Sequence, residues 1–159
     1  MLRHAKYEDL QFVFGLYMHP DINPYLLYEQ MSLAAFQSVY DALMLKNIVY
    51  IYEVEGIAIG MCKLVHQEYR NDHIVYLGGV AIHPDQMGKG HGRKMLEEIT
   101  ALCDRNGIRR IELSTATDNE KAIRLYEGVG FEKEGIMRKY TYLKSENRFV
   151  DEVLMSRIN

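Results

Sequence analysis

The sequence predicts an α/β (α+β) fold: a mixed, partly parallel central sheet of six to seven strands flanked by about four helices. Three observations predict it. Two helix-patterned stretches open the chain, strand-like stretches dominate afterwards, and one strand–loop–helix–strand unit lies at the centre. Such a crossover places its two strands parallel, whereas a tight hairpin forces antiparallel neighbours.

The elements follow in order. Tyr7 to Met18 carries Leu10, Val13, Phe14 and Tyr17 at helical spacing, with Asp9 near the start. HPDINPYLLY, residues 19 to 28, is the one Pro-dense stretch and reads as a loop between helices. Ser32 is placed to cap a second helix reaching about Lys46, with Phe36, Val39, Tyr40 and Leu43 on one face. Ile48 to Val54 is β-branched and aromatic; Glu55-Gly56 turns the chain, and Ile57 to His66 returns as a hairpin partner. His73 to His83 is a further apolar strand. Its Gly78-Gly79 pair suggests a bulge or a close backbone approach.

An amphipathic helix follows, striped by Met95, Leu96, Ile99, Leu102 and Cys103 and stopped at Asn106-Gly107. Arg109 to Thr115 is a strand. Asp118 or Asn119 caps a short helix to Glu127, and Phe131–Leu143 and Arg148–Ile158 are extended.

The 159 residues suit a single domain, 1–159, large enough to bury a substantial core. The net charge of -3 argues against a nucleic-acid partner or an anionic membrane. MLRHAKYEDL has charges where a signal peptide would be apolar, and no apolar run reaches the ~18 to 20 residues of a membrane helix. Cys62 and Cys103 are too few for a disulfide framework and form no CxxC site, so they read as reduced, mostly buried thiols of a cytoplasmic protein, with no metal expected.

Two stretches carry chemistry. The first is HPDQMGKGHGRK, residues 83 to 94. A strand ends, a Gly-rich loop turns and a helix begins, so unpaired N–H groups and the helix dipole favour an anion such as phosphate. Lys89, His91, Arg93 and Lys94 would add to this. The spacing of Gly88, Gly90 and Gly92 fits neither a Walker loop nor a dinucleotide-binding GxGxxG. A plain flexible turn is the alternative.

The second stretch is TDNEKAIRLYEGVGF, residues 117 to 131. Asn119 and Tyr126 lie about two helical turns apart, so their side chains are expected on one side, with Ala122, Ile123 and Leu125 facing the core. Alone, Tyr126 would read as a half-buried core tyrosine.

Together, VAIHPDQMGKGHGRKML and the NxxAxxLYExxGF pattern of Asn119 to Phe131 resemble the GNAT superfamily of acetyl-CoA-dependent N-acetyltransferases. The resemblance covers about residues 48 to 131. The C-terminal GFEKEGIMRKYTYLKSENRFVDEVLMSRI and the HPDINPYL segment are similar to a branch that includes ribosomal-protein, spermidine and amino-acid N-acetyltransferases. Met87 stands where the family usually has Gln or Arg, with Gln86 one residue earlier.

The resemblance implies a GNAT-like sheet, acetyl-CoA as co-substrate and direct transfer to a primary amine in a ternary complex. The amine would belong to a small molecule, an amino acid or a protein N-terminus. It implies pantetheine beside Val80, Ala81 and Ile82, and pyrophosphate on the backbone N–H groups of Met87, Gly88, Lys89, Gly90, His91, Gly92 and Arg93. Asn119 would hydrogen-bond the pantetheine region. Tyr126 would protonate the leaving thiolate, and a backbone N–H near Val80 to Ile82 would hold the oxyanion.

VYLGGVAI lacks the carboxylate that many relatives use as base. Glu53, His66, Glu68, His83 and Glu112 are the candidates, beside a water relay lined by Ser114 and Thr115. Tyr25, Tyr28 and Glu29 of the first loop, with Tyr140 and Tyr142 of the late hairpin, are expected to line the acceptor pocket. The alternative is that these tyrosines pack the helices or form a dimer contact. Two further readings remain open: a non-catalytic acetyl-CoA sensor and an acyltransferase for longer acyl groups. The last two strands are the candidate homodimer surface.

Overall fold

The computed structural model describes residues 1–159. A seven-stranded sheet runs in the order β1-β2-β3-β4-β5-β7-β6. Its strands are β1 (Leu2–His4), β2 (Val49–Val54), β3 (Ile57–His66), β4 (Ile74–Ile82), β5 (Arg110–Ala116), β6 (Glu132–Leu143) and β7 (Arg148–Ile158). Four helices flank it: α1 (Leu10–Met18), α2 (Leu33–Lys46), α3 (His91–Arg105) and α4 (Glu120–Glu127). Only β4 and β5 pair in parallel, joined by the α3 crossover. No helix is long and apolar enough to cross a membrane.

Local chemistry accounts for the element ends. Ser32 Oγ accepts from the Ala35 N–H at 3.1 Å and starts α2; Asn47, left-handed at φ 51°, ends it. Glu55 and Gly56 both have positive φ, which fits a tight turn to the twist of β2 and β3. The first helix starts later than its periodicity suggests. Tyr7–Asp9 forms a single 3-10 turn, and Asp9 is spent on Lys6 N–H at 2.7 Å and on Arg3. β1 has no counterpart in the sequence reading: three residues are too few to show a period, and only pairing with β2 makes them a strand.

Alternation along the strands divides the core into two layers. One face packs Met95, Leu96, Ile99, Ile123 and Phe131 of the α3–α4 side on Val75, Leu77, Ile111, Leu113 and Val153. The other packs Val13, Leu16, Tyr17, Phe36 and Tyr40 of α1 and α2 on Val49, Ile51, Met61 and Ala81. Each fully buried side chain of this size contributes roughly 1.5–3 kcal/mol. The second layer covers β2 to β4 and leaves the same face of β5, β7 and β6 without a helix, which shapes the site described next.

Candidate functional site

The sheet forks at its centre. β4 and β5 pair only from Ile74↔Arg110 to Tyr76↔Glu112. Beyond Tyr76, β5 stays with β7 as far as Ala116↔Glu152, while β4 stays with β3. The β5-facing edge of Leu77 to Ile82 therefore has no strand partner, and Val80, Ala81 and Ile82 lie on it. The bulge expected at Gly78-Gly79 is present. β3 and β4 shift register between Met61↔Ala81 and Lys63↔Gly78, and Gly79 sits at φ +59°.

The glycine loop lies at the end of that free edge. A 3-10 turn over Pro84–Gln86 is capped by His83 Nδ1, which accepts from Asp85 N–H at 3.3 Å. Met87 departs from the expectation: its N–H already donates to Pro84 O at 3.1 Å. The N–H groups of Gly88 to Arg93 have no acceptor in the protein; Lys94 is the first to be satisfied, by Gly90 O at 3.2 Å. Gly88 and Gly90 have φ of +75° and +79°, and space for a Cβ at either is open to 4 Å. Gly92 serves differently. A Cβ there would stand 3.3 Å from Leu125 Cδ2, so it lets α3 approach α4. Six outward donors, two open glycine faces and a helix start make a cradle with the chemistry of a phosphate site. Lys89 donates to Gln86 Oε1 at 3.1 Å, Arg93 pairs with Glu97 at 2.9 Å, and His91 Nδ1 is buried without a partner.

Asn119 and Tyr126 stand at the start and in the last turn of α4. Asn119 is the cap residue of α4: its Oδ1 accepts from Ala122 N–H at 3.4 Å and its amide donates to Thr115 Oγ1 at 3.3 Å. Tyr126 is buried to 8% exposure beside Ile123, with its ring 5.8 Å from that of Phe131. Its hydroxyl makes no hydrogen bond in the protein. Burial, and then the nearby Tyr76 and Cys62, push its pKa well above that of a free phenol.

The five candidate bases are engaged at other places. Glu53 is bonded to Arg3 at 2.6 Å, and Glu112 to Arg110 at 2.6 Å. His66 and Glu68 are exposed, and His83 is a turn cap. The carboxylate beside the fork is one that the sequence did not single out, Glu152 of β7. It accepts from Ser114 Oγ and from Thr141 Oγ1, the latter at 2.6 Å, and Ser114 in turn meets Tyr76 Oη at 2.9 Å. Ser114 thus bridges Tyr76 and Glu152, whereas Thr115 accepts from Asn119. Alternation was the available signal: Glu152 sits between the apolar Val153 and the exposed Asp151 on the face that β5 shares with Ser114.

The first loop does meet the late hairpin. Glu29 Oε1 accepts from Lys144 N–H at 3.1 Å, and Tyr28, Glu29 and Tyr142 line one seam of about 50 Å³. That volume holds a water or two, so this seam is closed to a substrate here. Tyr25 and Tyr140 are exposed and do not line it. A larger cavity of about 370 Å³ opens between the β2–β3 turn and the start of α3, where His91 and Lys94 line it. No cluster of three His, Cys, Asp or Glu side chains gathers for a metal ion.

Known proteins resemble this chain in sequence and in fold. The chain is 26% identical over 163 residues to the L-amino acid N-acetyltransferase AaaT of Escherichia coli (strain K12), covering 99% of this chain and 97% of that protein. It is 32% identical over 80 residues to the ribosomal protein bS18-alanine N-acetyltransferase of the same organism, covering 50% of this chain and 53% of that protein. Among solved structures, the spermidine N-acetyltransferase of Vibrio cholerae, in complex with CoA and spermine, superposes with a TM-score of 0.86 at 23% identity over 99% of this chain and 94% of that one. The acetyltransferase yncA of Salmonella typhimurium, with its cofactor acetyl-CoA, gives 0.78 at 21% identity over 99% and 92%. Residues 10–131, from α1 to the end of the fork's second helix, match the profile of the acetyltransferase (GNAT) family, and the chain belongs to that family.

Proposed function

We propose that residues 1–159 act as one N-acetyltransferase domain. It moves the acetyl group of acetyl-CoA to a primary amine by direct attack in a ternary complex. One observation carries this reading: the six acceptor-free N–H groups of Gly88 to Arg93 stand at the end of a free strand edge. Phosphate suits the first, and the amides of a pantetheine arm suit the second, as an added strand along Val80, Ala81 and Ile82. Met87 would contribute through its side chain alone, and Asn119 through its carbonyl oxygen beside the α4 cap.

Acetyl-CoA supplies an activated acetyl thioester at the fork. The remaining work falls to this chain's side chains. The amine must be neutral to attack, and an amine of lysine type ionises at about 10.4, so a proton must leave it. Tyr76 Oη, Ser114 Oγ and Glu152 form a donor chain that carries a proton from the fork to a carboxylate. On the other side, Tyr126 Oη holds a proton for the departing sulfur. Its raised pKa keeps it protonated at neutral pH, and the same desolvation raises the pKa of a thiolate beside it, so donor and acceptor remain matched. The charged amine first gives one proton to Glu152 through that chain; the neutral nitrogen then gains the acetyl carbon, sulfur loses it and takes the proton of Tyr126, and the second proton shed by nitrogen restores the Tyr126 hydroxyl.

The test is release of free CoA thiol from acetyl-CoA with free amino acids, polyamines, aminoglycosides and short peptides as acceptors. Release with one class, falling on Tyr126→Phe, supports the reading; silence with every class refutes it. The outer strand β6 and its neighbour expose Ile136, Tyr140 and Phe149, which suits a homodimer contact that sedimentation would reveal.

A further inference from the structure

We propose that Lys63 selects the acceptor: its ammonium receives the carboxylate of an α-amino acid whose amine faces Tyr76 and Glu152. This rests on the acetyltransferase reading above and narrows its acceptor to one chemical class.

The observation is a buried cation without a counter-ion. Lys63 lies in β3 opposite Gly78, on the α1–α2 face, and is only 8% exposed. Lysine is almost never this buried unless paired. Yet no carboxylate lies within salt-bridge distance of it, and its three N–H donors make no hydrogen bond. Its partners are two ring faces, Tyr28 at 5.2 Å and Tyr17 at 5.9 Å. These favour the charged form but satisfy none of its donors. Burial, and then the like charge of Lys46, lower its pKa below that of a free lysine.

The surroundings hold this arrangement in place. Asn23 donates to Tyr17 O at 2.7 Å and to Tyr28 O at 2.8 Å, which ties the first loop over the cage. The Tyr17 and Tyr28 rings meet edge to face at 4.9 Å. Tyr17 Oη is buried without a partner and points at the bulge, 2.8 Å from where a Cβ of Gly79 would stand. The Lys63 amine, by contrast, is not sealed from solvent. The Lys63 stem, with Cε 3.3 Å from that same Cβ position, thus brings a solvent-reaching ammonium beside a buried hydroxyl that has no partner, and both can donate to an anion.

The position of that spot decides which anion. Lys63 Cε lies 3.8 Å from the Cβ position of Gly78, and Tyr76 Cε1 lies 3.3 Å from the same point. The cage thus borders the Tyr76–Ser114–Glu152 chain across a single glycine. One face of the fork offers a positive end and, beside it, a negative relay. A zwitterion with adjacent amine and carboxylate complements both. A polyamine would bring a second cation to Lys63, and a peptide N-terminus would bring an uncharged carbonyl.

The experiment compares α-amino acids with their own primary carboxamides, and with spermidine and a tripeptide, by CoA release. The wild type is expected to prefer at least one α-amino acid over its carboxamide by about 30-fold or more in kcat/KM, mostly through KM. Lys63→Met, which keeps the length of the stem, should bring acid and amide within about threefold while leaving the thermal shift by acetyl-CoA unchanged; Lys63→Arg should restore part of the preference. Equal rates for acid and amide, or a best acceptor that lacks a carboxylate, would overturn the role of Lys63 and leave the acetyltransferase reading standing. No CoA release with any acceptor would overturn both.

Discussion

Replacing Gly79 by Ala tests the bulge that opens the sheet. Gly79 sits at φ +59°, and its added Cβ would stand 2.8 Å from Tyr17 Oη and 3.3 Å from Lys63 Cε. The left-handed backbone costs an L-residue about 1–2 kcal/mol. Forcing a carbon against a fully packed side chain costs about 1–3 kcal/mol more, and Tyr17, 1% exposed, has little room to retreat. The sum is about 2–5 kcal/mol, which for a chain of this size lowers the melting temperature by about 4–20 °C. Thermal unfolding followed by circular dichroism reads it directly. Tyr17→Phe separates the two causes. It deletes a buried hydroxyl that has no partner, so alone it should be neutral or slightly stabilising. Combined with Gly79→Ala it should recover the steric share and leave the backbone share. If Gly79→Ala melts within about 2 °C of the wild type, or the double variant regains nothing, the account of the bulge is wrong.

Other predictions are shorter. Tyr126→Phe should lower kcat by about 10²-fold or more with little change in KM for acetyl-CoA, read by thiol release. Glu152→Gln should likewise depress kcat by about 10²-fold, while Glu112→Gln, whose carboxylate serves Arg110, should leave kcat within about threefold. Arg110, and then Ser156, hold the Glu134 carboxyl down at about 2. A depressed pKa stabilises the fold above the ordinary carboxyl value of 4.5 and stops doing so as pH falls towards 2. The melting-temperature gap between wild type and Glu134→Gln should therefore be widest above about pH 5 and close towards pH 2.

Much of this protein was legible from its residues alone. Helical spacing marked α1 to α4, β-branched runs marked β2 to β5, and the turn chemistry of Glu55-Gly56 and Ser32 fixed their borders, because these signals act within a few residues of chain. The glycine loop and its run of donors were readable for the same reason: an unsatisfied helix start is a local property. What stayed hidden depends on which strands meet. The fork exists because β5 leaves β4 after Tyr76 and follows β7, a strand more than thirty residues later in the chain. That pairing brings Glu152 to Ser114; alternation along β7 could give its face, but not its partner. Of the two cap candidates for α4, Asp118 and Asn119, the fold uses Asn119. Nothing in the sequence of β3 singles out Lys63. Only the fold, by closing α1 and its loop over β3, buries most of that side chain against two tyrosine rings and leaves it without a counter-ion. Sequence determined the elements and the glycine loop with its free donors, where the physics is short-ranged; tertiary structure decided the surroundings of Glu152 and Lys63, where charge and burial are set by residues far apart along the chain.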